Sequence, residues 1–65
     1  MLSKKTILEE IKSHEEQIEK IEAELQRAKE LGLDIPDMVV FAESELSFLR
    51  DNLYRYKMQA KAWGM

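Results

Sequence analysis

Seven positions in the first half of this chain, Ile7, Ile11, His14, Ile18, Ile21, Leu25 and Ala28, are spaced alternately four and three apart, and all but His14 are apolar. A second series, Val39, Ala42, Leu46, Leu49, Leu53, Tyr56, Ala60 and Trp63, alternates three and four without a break. Such spacing returns to one face of an α-helix every two turns, whereas a half-buried strand needs alternation at every second residue. A slip of one residue in either series destroys it. The chain is therefore expected to be all-α: one domain, residues 1–65, folded as an antiparallel, coiled-coil-like two-helix hairpin. Helix 1 should run from about 4 to 31 and helix 2 from about 35 to 62, with the turn at 32–34.

The segment between the two series, "KELGLDIPDMV" (29–39), carries the punctuation. Gly32 follows the first helix and suits a left-handed C-terminal cap. Asp34 is the expected N-cap of helix 2, with Leu33 and Met38 in the positions of a hydrophobic staple. Pro36 then falls in the first turn, where its missing N–H costs little, and Asp37 sits at the positive end of the helix dipole. Ser3 is the expected cap of helix 1, with Leu2 and Ile7 as its staple.

Folding at 32–34 pairs residues whose numbers add to about 67. Ala28 then lies by Val39, Leu25 by Ala42, Ile21 by Leu46 and Ile18 by Leu49. His14 lies by Leu53, Ile11 by Tyr56, Ile7 by Ala60 and Lys4 by Trp63. On the flanks, Glu22 and Glu15 can reach Arg50, Lys29 can reach Glu43, and Glu24 opposes Glu45. Exposed ion pairs contribute only tenths of a kcal/mol, so they tune this register without setting it.

One seam between two helices is a thin core for a chain of this length. Helix 2 also carries a second stripe, Phe41, Ser44, Phe48, Asp51, Arg55 and Met58, again spaced three and four apart. Helix 2 is thus expected to be the central helix of a larger assembly and helix 1 its solvated outer wall. The expected assembly is a homodimer forming a four-helix bundle. The partner-binding candidates are Phe41, Ser44, Glu45, Phe48, Asp51, Arg55 and Met58, facing a second copy or a different protein. Trp63 and Tyr54, with Met58 and Met65 nearby, are further candidate anchors.

Other chemistries find little support. With no cysteine, thiolate zinc sites, disulfides and cysteine catalysis are excluded. His14 is the only histidine and lacks His or Cys companions, so no metal site is expected; it reads as a polar residue fixing register. The glutamates of helix 1 interleave with Lys12, Lys20, Arg27 and Lys29 as a solvated face. No phosphate loop, nucleophile elbow or cofactor motif is present, so no catalytic residue and no cofactor are expected. The net charge is −3, and "MLSKKTILEE" has no apolar run behind its lysines. The expectations are accordingly a cytoplasmic protein without a signal peptide or membrane span and without a nucleic-acid partner. The one feature favouring nucleic acid is a sparse basic line, Lys5, Lys12, Lys20 and Arg27. The architecture is similar to that of the plasmid Rop dimers of hairpins, which bind RNA across their first helices; an RNA-binding four-helix bundle is therefore one alternative.

A second alternative comes from "IEKIEAELQRAKELGLDIPDMVVFAESELSFL" (18–49), which resembles the small sporulation-regulatory aspartyl-phosphate phosphatases of spore-forming bacilli. Those proteins are helical hairpins of similar length with a Gly-Leu turn and a Ser-Gln-Glu-Leu-Asp signature early in helix 2. The corresponding positions here are Glu43, Ser44, Glu45, Leu46 and Ser47. Glu45 and Leu46 match, while the signature Ser is Glu43 and the Asp on which activity depends is Ser47. A shifted alignment, Ser47-Phe48-Leu49-Arg50-Asp51, recovers a Ser and an Asp but loses the Glu-Leu pair. The resemblance implies a response-regulator phosphatase, with no catalytic residue carried over. The primary expectation is a small non-enzymatic regulatory protein that self-associates and binds a protein partner through helix packing.

Overall fold

The computed structural model describes residues 3–64, which form two α-helices. Helix α1 spans Lys4–Glu30 and helix α2 spans Pro36–Ala62. They lie against each other as a rod of 45 × 16 × 15 Å, an all-α hairpin. A residue rise of ~1.5 Å makes each 27-residue helix about 40 Å long, so the helices account for most of the rod's length.

Ser3 begins α1 as expected: its hydroxyl accepts from the Thr6 N–H at 3.1 Å and its carbonyl accepts the first helical bond from Ile7 at 3.0 Å. The expected Leu2 half of its staple lies outside the described residues. At the other end of α1, Leu31 is the C-cap and Gly32 follows with φ 69°. The Gly32 N–H reaches the Lys29 carbonyl at 3.2 Å, and the Leu33 N–H reaches back to the Ala28 carbonyl at 2.8 Å. Those two bonds make a Schellman motif, which satisfies two of the last carbonyls and requires a left-handed residue at Gly32. Arg27 and Lys29 place positive charge on this negative helix end. Gly64 is likewise left-handed after α2, with φ 78° and its N–H on the Lys61 carbonyl at 3.0 Å.

The start of α2 corrects the sequence reading. Its N-cap is Ile35, in extended conformation (φ −65°, ψ 133°), with no side-chain capping bond, so Asp34 does not cap it. Pro36 is the reason. A proline ring clashes with a helical conformation of the residue before it, which forces Ile35 to stay extended and makes Pro36 the first helical residue. Asp34 is instead the centre of a tight turn in which the Ile35 N–H bonds the Leu33 carbonyl at 2.9 Å. The staple frame moves with the cap, and Leu33 and Met38 are both exposed.

The seam is filled by the two periodic series. Every first-series residue is buried or half-buried, as is every second-series residue except Trp63, which is exposed. Ile18, Leu46 and Leu49 form the central cluster, with Ile21, Leu25 and Leu53 packed on it. Ile7 and Ala60, expected partners at the open end, are both buried.

The cross-helix polar contacts follow from side-chain lean. Helical side chains tilt toward their own N-terminus, so in an antiparallel pair those of α1 lean away from the turn and those of α2 lean toward it. Long side chains therefore meet partners whose backbones are offset. Arg50 pairs with Glu22 at 2.9 Å and Lys57 with Glu15 at 3.6 Å; both pairs have residue numbers adding to 72. Glu15 does not reach Arg50, because those two side chains lean apart. Likewise His14 stacks at 5.3 Å against Tyr56, the residue beyond its nominal partner Leu53. Lys29 and Glu43 border one groove, but they make no ion pair among the described residues.

The capping geometry predicts an asymmetry in urea unfolding followed by circular dichroism at fixed protein concentration. Ser3→Ala should cost ~1 kcal/mol and Gly32→Ala ~1–2 kcal/mol, because a β-carbon at φ 69° is strained although nothing lies near it. Asp34→Ala should stay within ~0.5 kcal/mol of the parent. An Asp34→Ala loss equal to that of Ser3→Ala would contradict the Ile35 cap.

Candidate functional site

Turning Leu46, Leu49 and Ala60 into the seam leaves the other face of α2 in solvent. On it stand Phe41, Ser44, Phe48, Asp51, Arg55 and Met58, with Glu45 at the edge, all exposed. Phe41 is 70% exposed and Phe48 66%. The structure thus brings all seven sequence-derived candidates onto one side of one helix. Asp51 and Arg55 are one turn apart and joined at 3.2 Å, giving the stripe a charged middle between Phe48 and Met58. Exposed Met38, Val40 and Tyr54 extend the apolar character around the helix. An apolar stripe this long, rimmed by charge, is unusual for the free surface of a small soluble monomer.

A second feature lies near the turn. Leu25, Ala28, Val39 and Ala42 leave an apolar groove of about 190 Å³, because two alanines do not fill the seam. Glu24, Asp34 and Glu45 line it with carboxylates. The opposition of Glu24 and Glu45 is legible from their positions in the register; the cleft between them is not, because it depends on how closely the helices approach.

His14 is buried in the seam and fully accounted for. Its Nδ1 lies 2.7 Å from the Glu10 carbonyl oxygen. A carbonyl can only accept, so in the neutral ring Nδ1 carries the proton and Nε2 the lone pair. The ring packs at a 57° tilt on Tyr56, and no buried side-chain polar atom is left without a partner among the described residues. This is a structural arrangement. No group of three or more His, Cys, Asp or Glu among the described residues is placed to hold a metal ion.

The positions that carry the phosphatase resemblance divide between two environments. Glu43, Ser44, Glu45 and Ser47 are exposed, whereas Leu46 belongs to the core. The basic line Lys5, Lys12, Lys20 and Arg27 is solvent-exposed on α1, and Lys4, Lys5 and Lys12 surround the exposed Leu8 on a shallow surface. Met65 lies outside the described residues, and neither helix is long and apolar enough to cross a membrane. Comparison of the chain with protein-family models, curated proteins and solved structures finds no match.

The His14 environment predicts opposite results for two substitutions in thermal unfolding. His14→Ala removes the ring from Tyr56 and should cost roughly 2 kcal/mol. His14→Leu keeps the volume and removes a buried polar group from the seam, so its unfolding midpoint should equal or exceed the parent's. A His14→Leu protein as unstable as His14→Ala would assign the ring a larger polar role than its hydrogen bond implies.

Proposed function

We propose that this chain is a small non-enzymatic regulatory protein that self-associates through the outer face of α2 and binds a protein partner by helix packing. The observation that carries the reading is the exposure of Phe41 and Phe48 on a continuous helical stripe in an otherwise thin hairpin. Burying such side chains against a second surface contributes ~25 cal/mol per Å² removed from water. A single seam with five buried apolar residues among the described residues leaves much of the helical surface unpartnered. A second hairpin laid along α2 would turn the stripe into the centre of a four-helix bundle, with α1 as the charged outer wall. The groove near the turn, apolar inside and acidic at its rim, is suited to an aliphatic or basic side chain of the protein partner.

Two arguments weigh against catalysis as the primary reading. The carboxylates that line the groove, Glu24, Asp34 and Glu45, are all exposed, whereas a catalytic carboxylate is tuned by desolvation. The position equivalent to the catalytic Asp in the phosphatase resemblance is also a Ser, Ser47.

Sedimentation equilibrium tests the proposal. The protein should weigh about twice its 7.7 kDa chain mass, and Phe41→Ser with Phe48→Ser should return it to a monomer with its helices retained. An unchanged dimer mass in the double variant would remove the outer face of α2 as the interface. No acceleration of phosphate release from a phosphorylated receiver domain is expected, and acceleration above spontaneous hydrolysis would replace this reading with the phosphatase one.

A further inference from the structure

The stripe on α2 carries enough chemical detail to select one way for two copies to meet. Both of its charges lie in the middle, Asp51 and Arg55, and its apolar groups lie outside them. In a two-fold dimer, whatever residue i meets, that residue's copy meets i in return. Only a few registers then keep stripe against stripe.

If the two α2 helices ran parallel, each residue would oppose its own copy. Asp51 would face Asp51 and Arg55 would face Arg55, with the helix dipoles aligned unfavourably as well. Antiparallel packing with nearly full overlap of the helices sets stripe residues whose numbers add to 99 opposite each other. That register pairs Phe41 with Met58 but opposes Phe48 to Asp51 and Arg55 to Ser44, pressing a carboxylate against an aromatic face and leaving the guanidinium without an acid across the interface. Sliding one copy by two helical turns makes opposing numbers add to 106. Asp51 then meets Arg55 of the second copy, twice by symmetry, and Phe48 meets Met58, a favourable aromatic–thioether pair. Ser44 meets Ala62, two small side chains that let the helices close.

We propose that this chain forms an antiparallel homodimer in which α2 packs on α2 with a two-fold axis level with Leu53, closed by a four-charge cluster of Asp51 and Arg55 from both copies. The intrachain Asp51–Arg55 pair at 3.2 Å becomes half of that cluster. Each carboxylate then has a guanidinium on either side, as the desolvated centre of an interface requires. The two-turn slide leaves the turn end of each hairpin projecting beyond its neighbour, so Phe41 lies outside the overlap of the two helices and the apolar part of the interface rests on Phe48 and Met58. The acid-lined groove between Leu25, Ala28, Val39 and Ala42 stays open at both ends of the assembly. Specificity for self over other apolar helices comes from the charge order, since a neutral stripe leaves Asp51 and Arg55 without partners across the interface and a mismatched one opposes like charges.

The inference rests on the self-association proposed above, and two experiments on the full chain separate the two. The chain has no cysteine, so single thiols report geometry without background. Ser44→Cys and Ala62→Cys proteins, mixed and gently oxidised, should give the mixed disulfide as the main product. A predominant disulfide between two Ser44→Cys chains would mean parallel packing, and a dimeric protein with no cross-link would mean a different register; either overturns the inference but leaves self-association intact. A wild-type chain that sediments as a monomer overturns both. Charge variants then test the cluster. Asp51→Arg alone and Arg55→Asp alone should each weaken dimerisation about tenfold, while an equimolar mixture of the two should form heterodimers at least as tight as wild type. Both variants keep an intrachain repulsion, so recovery on mixing can come only from contacts between chains. Weakened single variants that do not recover when mixed would place the charges outside the interface.

Discussion

The hairpin depends on one narrow contact, the seam in which Ile18, Leu46 and Leu49 close the middle and Ile21, Leu25 and Leu53 pack around them. With only two helices there is no other interface in which to bury apolar surface. Five apolar residues are buried among the described residues: Ile7, Ile18, Leu46, Leu49 and Ala60. The small seam follows from the sequence itself, which spends alanines at positions 28, 42 and 60 and a histidine at 14 where larger apolar residues would deepen the core. An open groove beside Ala28 and Ala42 and a hydrogen-bonded ring at His14 are the result. The remaining large apolar side chains of α2 must then face outward.

That division of α2 into two faces ties the fold to the proposed function. An amphipathic helix has one apolar stripe and one polar side. α1 conforms to this, with exposed Glu9, Glu16, Glu19, Lys12 and Lys20 opposite the seam. α2 instead carries Phe41, Phe48 and Met58 away from the seam, with Asp51 and Arg55 between them. Charges in the middle of an apolar stripe cost stability unless a partner supplies the opposite sign, and a second copy of the same stripe supplies it when turned end for end. Of the residues behind the phosphatase and RNA-binding alternatives, Leu46 is part of the seam, whereas Glu45, Lys5, Lys12, Lys20 and Arg27 are exposed.

Opposed side-chain lean is the rule that connects the backbone register to the contacts made across it. The seam pairing expected from the position of the turn has residue numbers adding to about 67, while the ion pairs Glu22–Arg50 and Glu15–Lys57 sit five residues off that sum. Long side chains reach along their helices before they reach across. The same lean brings Tyr56 to His14. These flank contacts are exposed and individually weak; together they bias the hairpin against slipping along a seam whose periodic pattern would tolerate a shift by whole heptads.

The sequence by itself determined the two helices, the faces they bury and the place where the chain reverses, because helical periodicity and the left-handed glycine at position 32 are local properties of the chain. It also displayed the outer stripe, since Phe41, Ser44, Phe48, Asp51, Arg55 and Met58 keep helical spacing whatever α2 packs against. The Ile35 cap was local too, but it required weighing the steric demand of Pro36 above the capping preference of Asp34. What only the tertiary structure decided lies between the helices. It set Glu15 on Lys57 and not Arg50, His14 on Tyr56, the groove beside Ala28 and Ala42, and the exposure of Trp63 despite its seam spacing. Each depends on the distance and relative tilt of two surfaces, and a one-dimensional pattern records which residues share a face without recording how far across it they reach.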